Sequence, residues 1–341
     1  MGTTRAPSAG LLIGSEILNP PEGAFNESLL SEALLQIAKK ELREDNCSRE
    51  QCLQQLRSWM DKNDDIQDTR IDDLFLLRFL RVKKFSVPMA QQVLLKYMNL
   101  RRSFPHMTND LDFLGTRLNE IISAGYIFTS PIRDKFGRRV VIINARHFNP
   151  KIYSSEEQAK AHFITYETLM EEHENQILGL THVGDFSGVT AGHVTNWNPT
   201  EFARVFKWGE QSLPIRHKEI HLVNVPASLK WLIDFVKTRV SPKIKNRLNC
   251  YVSEKDLPKH MDVDCLPLEL GGKMPMSEMI ESWKIELAKK RDSLLRLDNM
   301  RLLSDQGITT SRNPDKSNQN GTNFVAHFES LAGSFRKLEI D

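Results

Sequence analysis

The chain has 341 residues, of which 40% are hydrophobic and 26% are charged, and its formal net charge is +2. These values predict one large globular domain or two, and they exclude global disorder and a dedicated nucleic-acid binder. No apolar run approaches the roughly 20 residues that a membrane span requires, and the segment AGLLIG (9–14) is too short for a signal-peptide core. The four cysteines have no zinc-type spacing, which indicates reduced thiols in a cytosolic protein without a metal site.

The first third of the chain is predicted to be helical. Residues 1–26 show no sustained period and are predicted to form a flexible arm, whereas residues 27–105 predict a helical module. Its second helix is expected to begin at Ser48 as N-cap. Near the end of the third helix, Arg78 and Arg81 lie close to two lysines, and charge alone favours solvated side chains there. The predicted helices cover the sequences LLSEALLQIAKKELRED, SREQCLQQLRSWMDK, IDDLFLLRFLRVKKF and VPMAQQVLLKYMNLRRSF.

Strands and helices alternate in residues 106–298, which predicts βαβ units and a largely parallel sheet. Residues 299–341 are predicted to form a linker and a C-terminal tail, because residues 304–323 are polar and rich in Gly, Asn and Ser. The predicted strands are 125–128, 139–145, 178–186 and 220–225, with an edge strand at 249–252, and the predicted helices are 154–175, 199–213 and 276–297.

The segment 205–248 is unusually basic. It contains nine cations and three carboxylates, so it carries +6 while the remainder of the chain carries −4. Within it, residues 227–240 place apolar side chains at helical spacing. The combination indicates a surface for an anionic partner beside an apolar helix. A core helix with solvated lysines explains the same charges, and the sequence leaves both interpretations open.

Motifs for nucleotide or hydrolytic enzymes are missing from the sequence. It contains no GxGxxG or GxxxxGK[ST], and the segment Gly184–Gly188 has Phe186 where a nucleophile elbow needs serine. His217 and His221 are four residues apart, but the surrounding pattern is that of a strand rather than a metal-binding helix. The sequence therefore predicts no enzyme and no cofactor.

Several segments together resemble the CRAL-TRIO family. These are DDLFLLRFLRVKKF (72–85), GDFSGVT (184–190), SLPIRHKEIHLVNVP (212–226), SPKIKNRL (241–248) and LPLELGG (266–272), in the order and spacing of the family. The closing SFRKLEID resembles insect members. The resemblance implies a mostly parallel sheet that floors an apolar cavity closed by a helical gate, preceded by the all-α module, with the lipid-binding domain at 106–298.

The resemblance also implies where the sites lie. Residues 227–240 would be the gate, and a basic patch beside it would bind phosphoinositide headgroups, as in members that carry tocopherol. The gate residues are Leu229, Trp231, Leu232, Ile233, Phe235 and Val236. The basic patch is Arg216, Lys218, Lys243 and Arg247. The candidate pocket residues are His162, Phe163, Tyr166, Val205, Phe206, Trp208 and Leu213.

The polar ligand contacts of the family are not kept. Two serines of the tocopherol pocket fall at His162 and Tyr166, a tyrosine that contacts retinal falls at His162, and a glutamate of the retinal site falls at Gly184. His162 is expected to be either a hydrogen-bond donor to the ligand or a packed core histidine.

Two functions are compatible with these features. The first is a monomeric cytoplasmic carrier that holds one hydrophobic molecule, such as a lipid, tocopherol, retinoid or carotenoid, and transfers it at endosomal or other membranes that contain phosphoinositides. The second is a trafficking adaptor that binds phosphoinositides and keeps only a vestigial pocket.

Overall fold

The computed structural model describes residues 30–198 and 211–309, together with Val205 and Gly209. Its centre is a five-stranded sheet in the order β2-β3-β4-β5-β6, in which β2 is antiparallel to β3 and the other neighbours are parallel. The predicted, largely parallel sheet is therefore confirmed. The strands are β1 (Ile66–Gln67), β2 (Ile127–Thr129), β3 (Arg139–Asn144), β4 (Leu180–Asp185), β5 (His217–Val223), β6 (Leu248–Cys250) and β7 (Arg301–Leu302).

Helices surround this sheet. No helix among the described residues is long and apolar enough to cross a membrane. The helices are α1 (Glu32–Ile37), which continues as one π-helical segment (Ala38–Leu42), α2 (Asn46–Asp61), α3 (Asp73–Val82), α4 (Val87–Ser103), α5 (Pro105–Thr108), α6 (Thr116–Ser123), α7 (Ser155–Met170), α8 (His173–Leu178), α9 (Ala191–Thr195), α10 (Lys230–Arg239), α11 (Pro242–Lys245) and α12 (Met276–Leu295).

Two helix ends differ from their prediction. Helix α2 begins one turn early, because the Asp45 carboxylate accepts the Ser48 amide and the Ser48 hydroxyl accepts the Asp45 amide in a capping box. Ser48 is therefore the third helical residue and not the N-cap. The helix predicted over 154–175 is capped by Ser154 as expected, but it ends at Met170 and a separate helix begins at His173.

The expectation that Arg78 and Arg81 are solvated is wrong. Their exposed fractions are 1% and 0%, and both face carboxylates from distant parts of the chain. Arg78 donates to Glu167 at 2.8 Å and to Glu171 at 2.5 Å, while Arg81 donates to Glu44 at 2.7 Å. Burial alone would raise the pKa of Glu171, but Arg78 and Arg70 hold it below its usual range. The Arg78 contacts fasten the helical module to α7, whereas the Arg81–Glu44 pair lies within the module.

The beginning of the predicted C-terminal linker is also held against the module. Strand β7 pairs with β1, and Leu302 is buried in the apolar core of the module. Further along, Thr309 donates to Gln92 of α4 at 2.9 Å. Residues 310–341, including SFRKLEID, and the arm 1–26 lie outside the described residues.

We predict that Arg78→Leu lowers the free energy of unfolding by about 3–5 kcal/mol, because it leaves two buried carboxylates short of a partner. Chemical denaturation of the full chain measures the change. The matched control is Arg117→Leu, since the Arg117 side chain is 54% exposed and its ion pairs with Glu120 and Glu157 are at the surface. That change is expected to cost about 0–1 kcal/mol. Equal shifts in the two variants would contradict the prediction.

Candidate ligand cavity and adjacent basic patch

A cavity of about 530 Å³ lies between α7, the sheet and α10. Most of its described wall is apolar, and no described wall residue is a lysine or an arginine. Such a space is the usual form of a binding site for a hydrophobic small molecule, in which a few polar groups orient the ligand.

Helix α7 forms one wall of the cavity. Gln158, His162 and Tyr166 recur every four residues, so they lie on one stripe of the helix, with Phe163 on its edge, and all four line the cavity. His162 and Tyr166, two of the predicted pocket residues, lie together on this wall. The carboxylates of Glu167 and Glu171 lie at the C-terminal end of the same helix and face Arg78 of the helical module.

A chain of hydrogen bonds crosses this wall. The Trp197 indole donates to Gln158 at 2.8 Å, the Gln158 amide donates to the Tyr126 hydroxyl at 2.7 Å, and that hydroxyl lies 2.8 Å from His162 Nε2. Burial lowers the pKa of His162 to about 4, so the ring is neutral at physiological pH. His162 is thus both a cavity residue and a member of a structural hydrogen-bond chain.

The sheet forms the floor. His182 and Gly184 come from β4, while Ile220 and Leu222 come from β5. His217 also lines the cavity, although strict alternation would put it on the opposite face from Ile220. The pairing explains this, because Leu180 pairs with His217 and the next residue, Thr181, pairs with Glu219, so Lys218 is an extra residue in β5. This irregularity turns His217 inward.

Helix α10, which we call the gate helix, covers the cavity. Leu229 precedes it, and three of the predicted gate residues, Leu229, Ile233 and Val236, line the cavity. The helix has no side-chain N-cap, and at Val240 the chain turns extended before Ser241 caps α11. The wall also includes Val240, Ile244 and Leu248, which were not among the predicted gate residues.

The other predicted gate and pocket residues have different outcomes. Val205 and Leu213, two of the predicted pocket residues, line the cavity. Phe206 and Trp208 lie outside the described residues, as do the side chains of Trp231, Leu232 and Phe235.

The four predicted basic-patch residues lie close to one another. Burial is the main reason that the pKa of Lys243 is lowered. The nearby charges of Arg247, Arg216, Lys84 and Lys218 lower it further, as expected when cations share a small surface. Lys84 of the helical module therefore also contributes to the field of the patch. Two of its members share one carboxylate, because Glu41 accepts from Arg216 at 2.8 Å and from Lys218 at 2.7 Å.

The hydroxyl in the segment Gly184–Gly188 has a structural role. Ser187 Oγ donates to the Asp185 carboxylate at 2.7 Å and accepts from Arg146 at 2.7 Å. Asp185 also accepts from Asn224 at 2.8 Å. These bonds close a turn at the end of β4. Among the described residues, no group of three histidine, cysteine or acidic side chains is arranged to hold a metal ion.

The sequence interpretation missed seven polar cavity residues. They are Tyr126, Gln158, His182, Asp185, His193, Trp197 and His217. A signal existed for His182, because it is a polar residue in the middle of the buried strand LTHVGD. The other polar cavity residues carry no such signal in the sequence. They lie together only because elements 30 or more residues apart come into contact.

We predict that stability falls as the pH drops from about 6.5 to about 4. Burial lowers the pKa of both His162 and His217 from 6.5 to about 4, so in this window the unfolded state binds more protons than the folded state. Urea midpoints measured across the window should therefore decrease. The double variant His162→Phe, His217→Phe should show a shallower decrease, and an unchanged slope would contradict the assignment.

The chain was compared with known proteins. The profile described as the CRAL/TRIO domain matches residues 123–272, and the profile described as a Pinta-like UBA domain matches residues 45–118. The alpha-tocopherol transfer protein-like protein of Homo sapiens is 32% identical over 268 residues, which is 78% of each chain. Clavesin-1 of Xenopus laevis is 26% identical over 251 residues, which is 73% of this chain and 76% of clavesin-1.

Among solved structures, the crystal structure of Sfh5 matches with a TM-score of 0.49 and 15% identity, over 74% of this chain and 99% of the other. The sequence relationships cover both the sheet with its cavity and much of the helical module. The chain belongs to the CRAL-TRIO family, whose members bind and transfer lipophilic ligands.

Proposed function

We propose that this protein carries one hydrophobic molecule in the cavity and exchanges it at membranes that contain phosphoinositides. The observation that carries the proposal is an apolar cavity whose cover, the gate helix, is followed directly by Lys243 and Arg247 of the basic patch. Cargo release and membrane contact would therefore take place on adjacent surfaces.

The cavity can supply the affinity without covalent chemistry. Burying apolar surface contributes about 25 cal/mol per Å², so a cargo with about 400 Å² of apolar surface gains on the order of 10 kcal/mol before the costs of association. Because nearly all of this comes from contact with the walls, opening one wall is enough to weaken binding. The gate helix is the wall that can supply the opening, since its cavity-facing residues belong to a short helix without a side-chain N-cap.

The membrane would favour the open state. Once displaced from the cavity, apolar side chains of the gate helix can enter the headgroup boundary, and neighbouring cations can hold anionic lipids. A membrane that binds the open state better than the closed state shifts the population toward release.

For the basic patch we predict that Lys218→Gln with Lys243→Gln weakens binding to vesicles containing a phosphatidylinositol bisphosphate roughly thirtyfold. The reason is that each surface lysine contributes about 1 kcal/mol to attraction by anionic lipid. Glu41→Gln should act in the opposite direction, because it removes the carboxylate that engages Arg216 and Lys218. Vesicle sedimentation at two salt concentrations measures both effects, and salt should weaken the wild-type binding.

The matched control removes the same charge elsewhere. Lys284→Gln with Lys289→Gln changes two lysines of α12 and should leave vesicle binding close to wild type. If the two double variants behave alike, only the net charge matters, and the assignment of the patch is wrong.

For the gate we predict that a crosslink stops transfer while cargo stays bound. Cys250 on β6 is exposed. Partial burial of its thiol raises the pKa, and the nearby charges of Lys237 and Asp234 act on it in opposite directions. Both residues belong to the gate helix, so this thiol lies beside it. In a Cys47→Ser, Cys52→Ser background, Lys237→Cys would be joined to Cys250 by a bismaleimide with a reducible centre. Mass spectrometry of organic extracts, before and after incubation with acceptor vesicles, measures the lipid that co-purifies and remains.

The control is the same protein with both thiols capped by N-ethylmaleimide, which should transfer at the rate of the unmodified variant. Reducing the crosslink should restore transfer. Delivery by the crosslinked protein at the control rate would show that this helix is not the gate. An extract without lipid, together with intact vesicle binding, would favour the adaptor function instead.

A further inference from the structure

Three polar side chains meet at one place on the cavity wall. Tyr166 comes from α7, His182 from β4 and His217 from β5. The ring centroids of the two histidines are 4.8 Å apart, and the Tyr166 ring lies 5.9 Å from His182 and 6.2 Å from His217. Three separate elements therefore bring their polar groups to a single patch of an otherwise apolar surface.

These groups lack hydrogen-bond partners among the described residues. Both ring nitrogens of His182 and Nδ1 of His217 are buried without a partner, and His182 is only 5% exposed. The backbone of Glu219 lies near His182 but makes no hydrogen bond of normal geometry with it. Burial alone raises the pKa of the Tyr166 hydroxyl, with no contribution from a hydrogen bond.

Other polar groups of the cavity wall do have partners. Gln158, Tyr126 and His162 form the hydrogen-bond chain with Trp197, and His193 Nε2 lies 3.0 Å from the carbonyls of Ala145 and Phe148. Native proteins rarely leave buried polar groups unpaired, because each one loses its bonds to water. A concentration of such groups in one place points to a partner outside the described residues, and a bound ligand can supply one.

The cluster is suited to an uncharged group. A neutral imidazole offers one donor and one acceptor, and a phenol offers both as well. Burial and the charge of Arg247 lower the pKa of His217 to about 4, so its ring is neutral at physiological pH. No described cavity-lining residue is a lysine or arginine, so a carboxylate would enter without a cation to pair with. A hydroxyl can donate to one member of the cluster and accept from another.

We propose that Tyr166, His182 and His217 form a subsite that binds the hydroxyl group of a lipophilic alcohol or phenol. This inference rests on the proposed carrier function and adds the chemistry of the cargo. The apolar remainder of the cargo would extend along the wall formed by Phe163, Leu229, Ile233 and Val236.

The test uses three probes that share a chain and differ at one end. They are geranylgeraniol, geranylgeranoic acid and the corresponding hydrocarbon, each in radiolabelled form, with the full-length protein freed of co-purified lipid. We expect the wild type to bind the alcohol about tenfold more tightly than either of the others, since a hydrogen bond is the only difference from the hydrocarbon. In Tyr166→Phe and His182→Phe this preference should shrink to about twofold or less, through weaker binding of the alcohol and not of the hydrocarbon.

The matched control is His221→Phe. It changes another histidine of β5, which bonds to Tyr251 and Glu219 and does not line the cavity, so the preference should persist. Tyr166→Phe removes a single oxygen and keeps the test valid if a histidine variant does not fold. Equal binding of all three probes by the wild type, or an unchanged preference in Tyr166→Phe and His182→Phe, would overturn the subsite and leave the carrier function intact. Binding of none of the probes would count against the carrier function itself.

Discussion

The structure depends on the pairing of buried arginines of α3 with carboxylates from outside that helix. Arg78 is fully buried, so its guanidinium needs anionic partners inside the protein. It pairs with Glu167 and Glu171 at the C-terminal end of α7. Tyr97 of α4 bonds to the same Glu167 at 2.9 Å. Removing one partner from such a network lowers stability by much more than the intact network adds to it, because an unpaired charge remains buried. The position of α7, and with it one wall of the cavity, is therefore set by the helical module.

The fold was largely predictable from local patterns. The buried run RVVIINA and the alternation of strands with helices predicted the parallel sheet, because parallel strands covered on both faces read as continuous apolar segments. The cavity-facing residues of the gate helix could also be predicted, since Leu229, Ile233 and Val236 repeat at the spacing of one helix face. In both cases the structure keeps the period that the sequence shows.

The remainder could not be predicted, for identifiable reasons. The environment of Arg78 is decided by carboxylates 89 and 93 residues away, and charge in a local window cannot reveal them. The N-cap of α2 is Asp45 because a capping box uses both Asp45 and Ser48, and either one satisfies the local rule. His217 lies before the predicted strand 220–225, and the extra residue in β5 reverses its face. An insertion of this kind leaves no period to detect.

The extra residue in β5 has a consequence for communication between surfaces. Arg216 and Lys218 reach outward to Glu41, while His217 between them faces the cavity, and Arg247 donates to the His217 carbonyl. Three consecutive residues thus belong to two surfaces, the basic patch and the cavity wall. A shift of this short segment changes the geometry of both. Binding free energies at two sites that bias one element are reciprocal. If an anionic headgroup loosens the hold on cargo through this segment, then bound cargo must weaken the attraction for that headgroup by the same factor, so an empty protein would remain longer on the membrane than a loaded one.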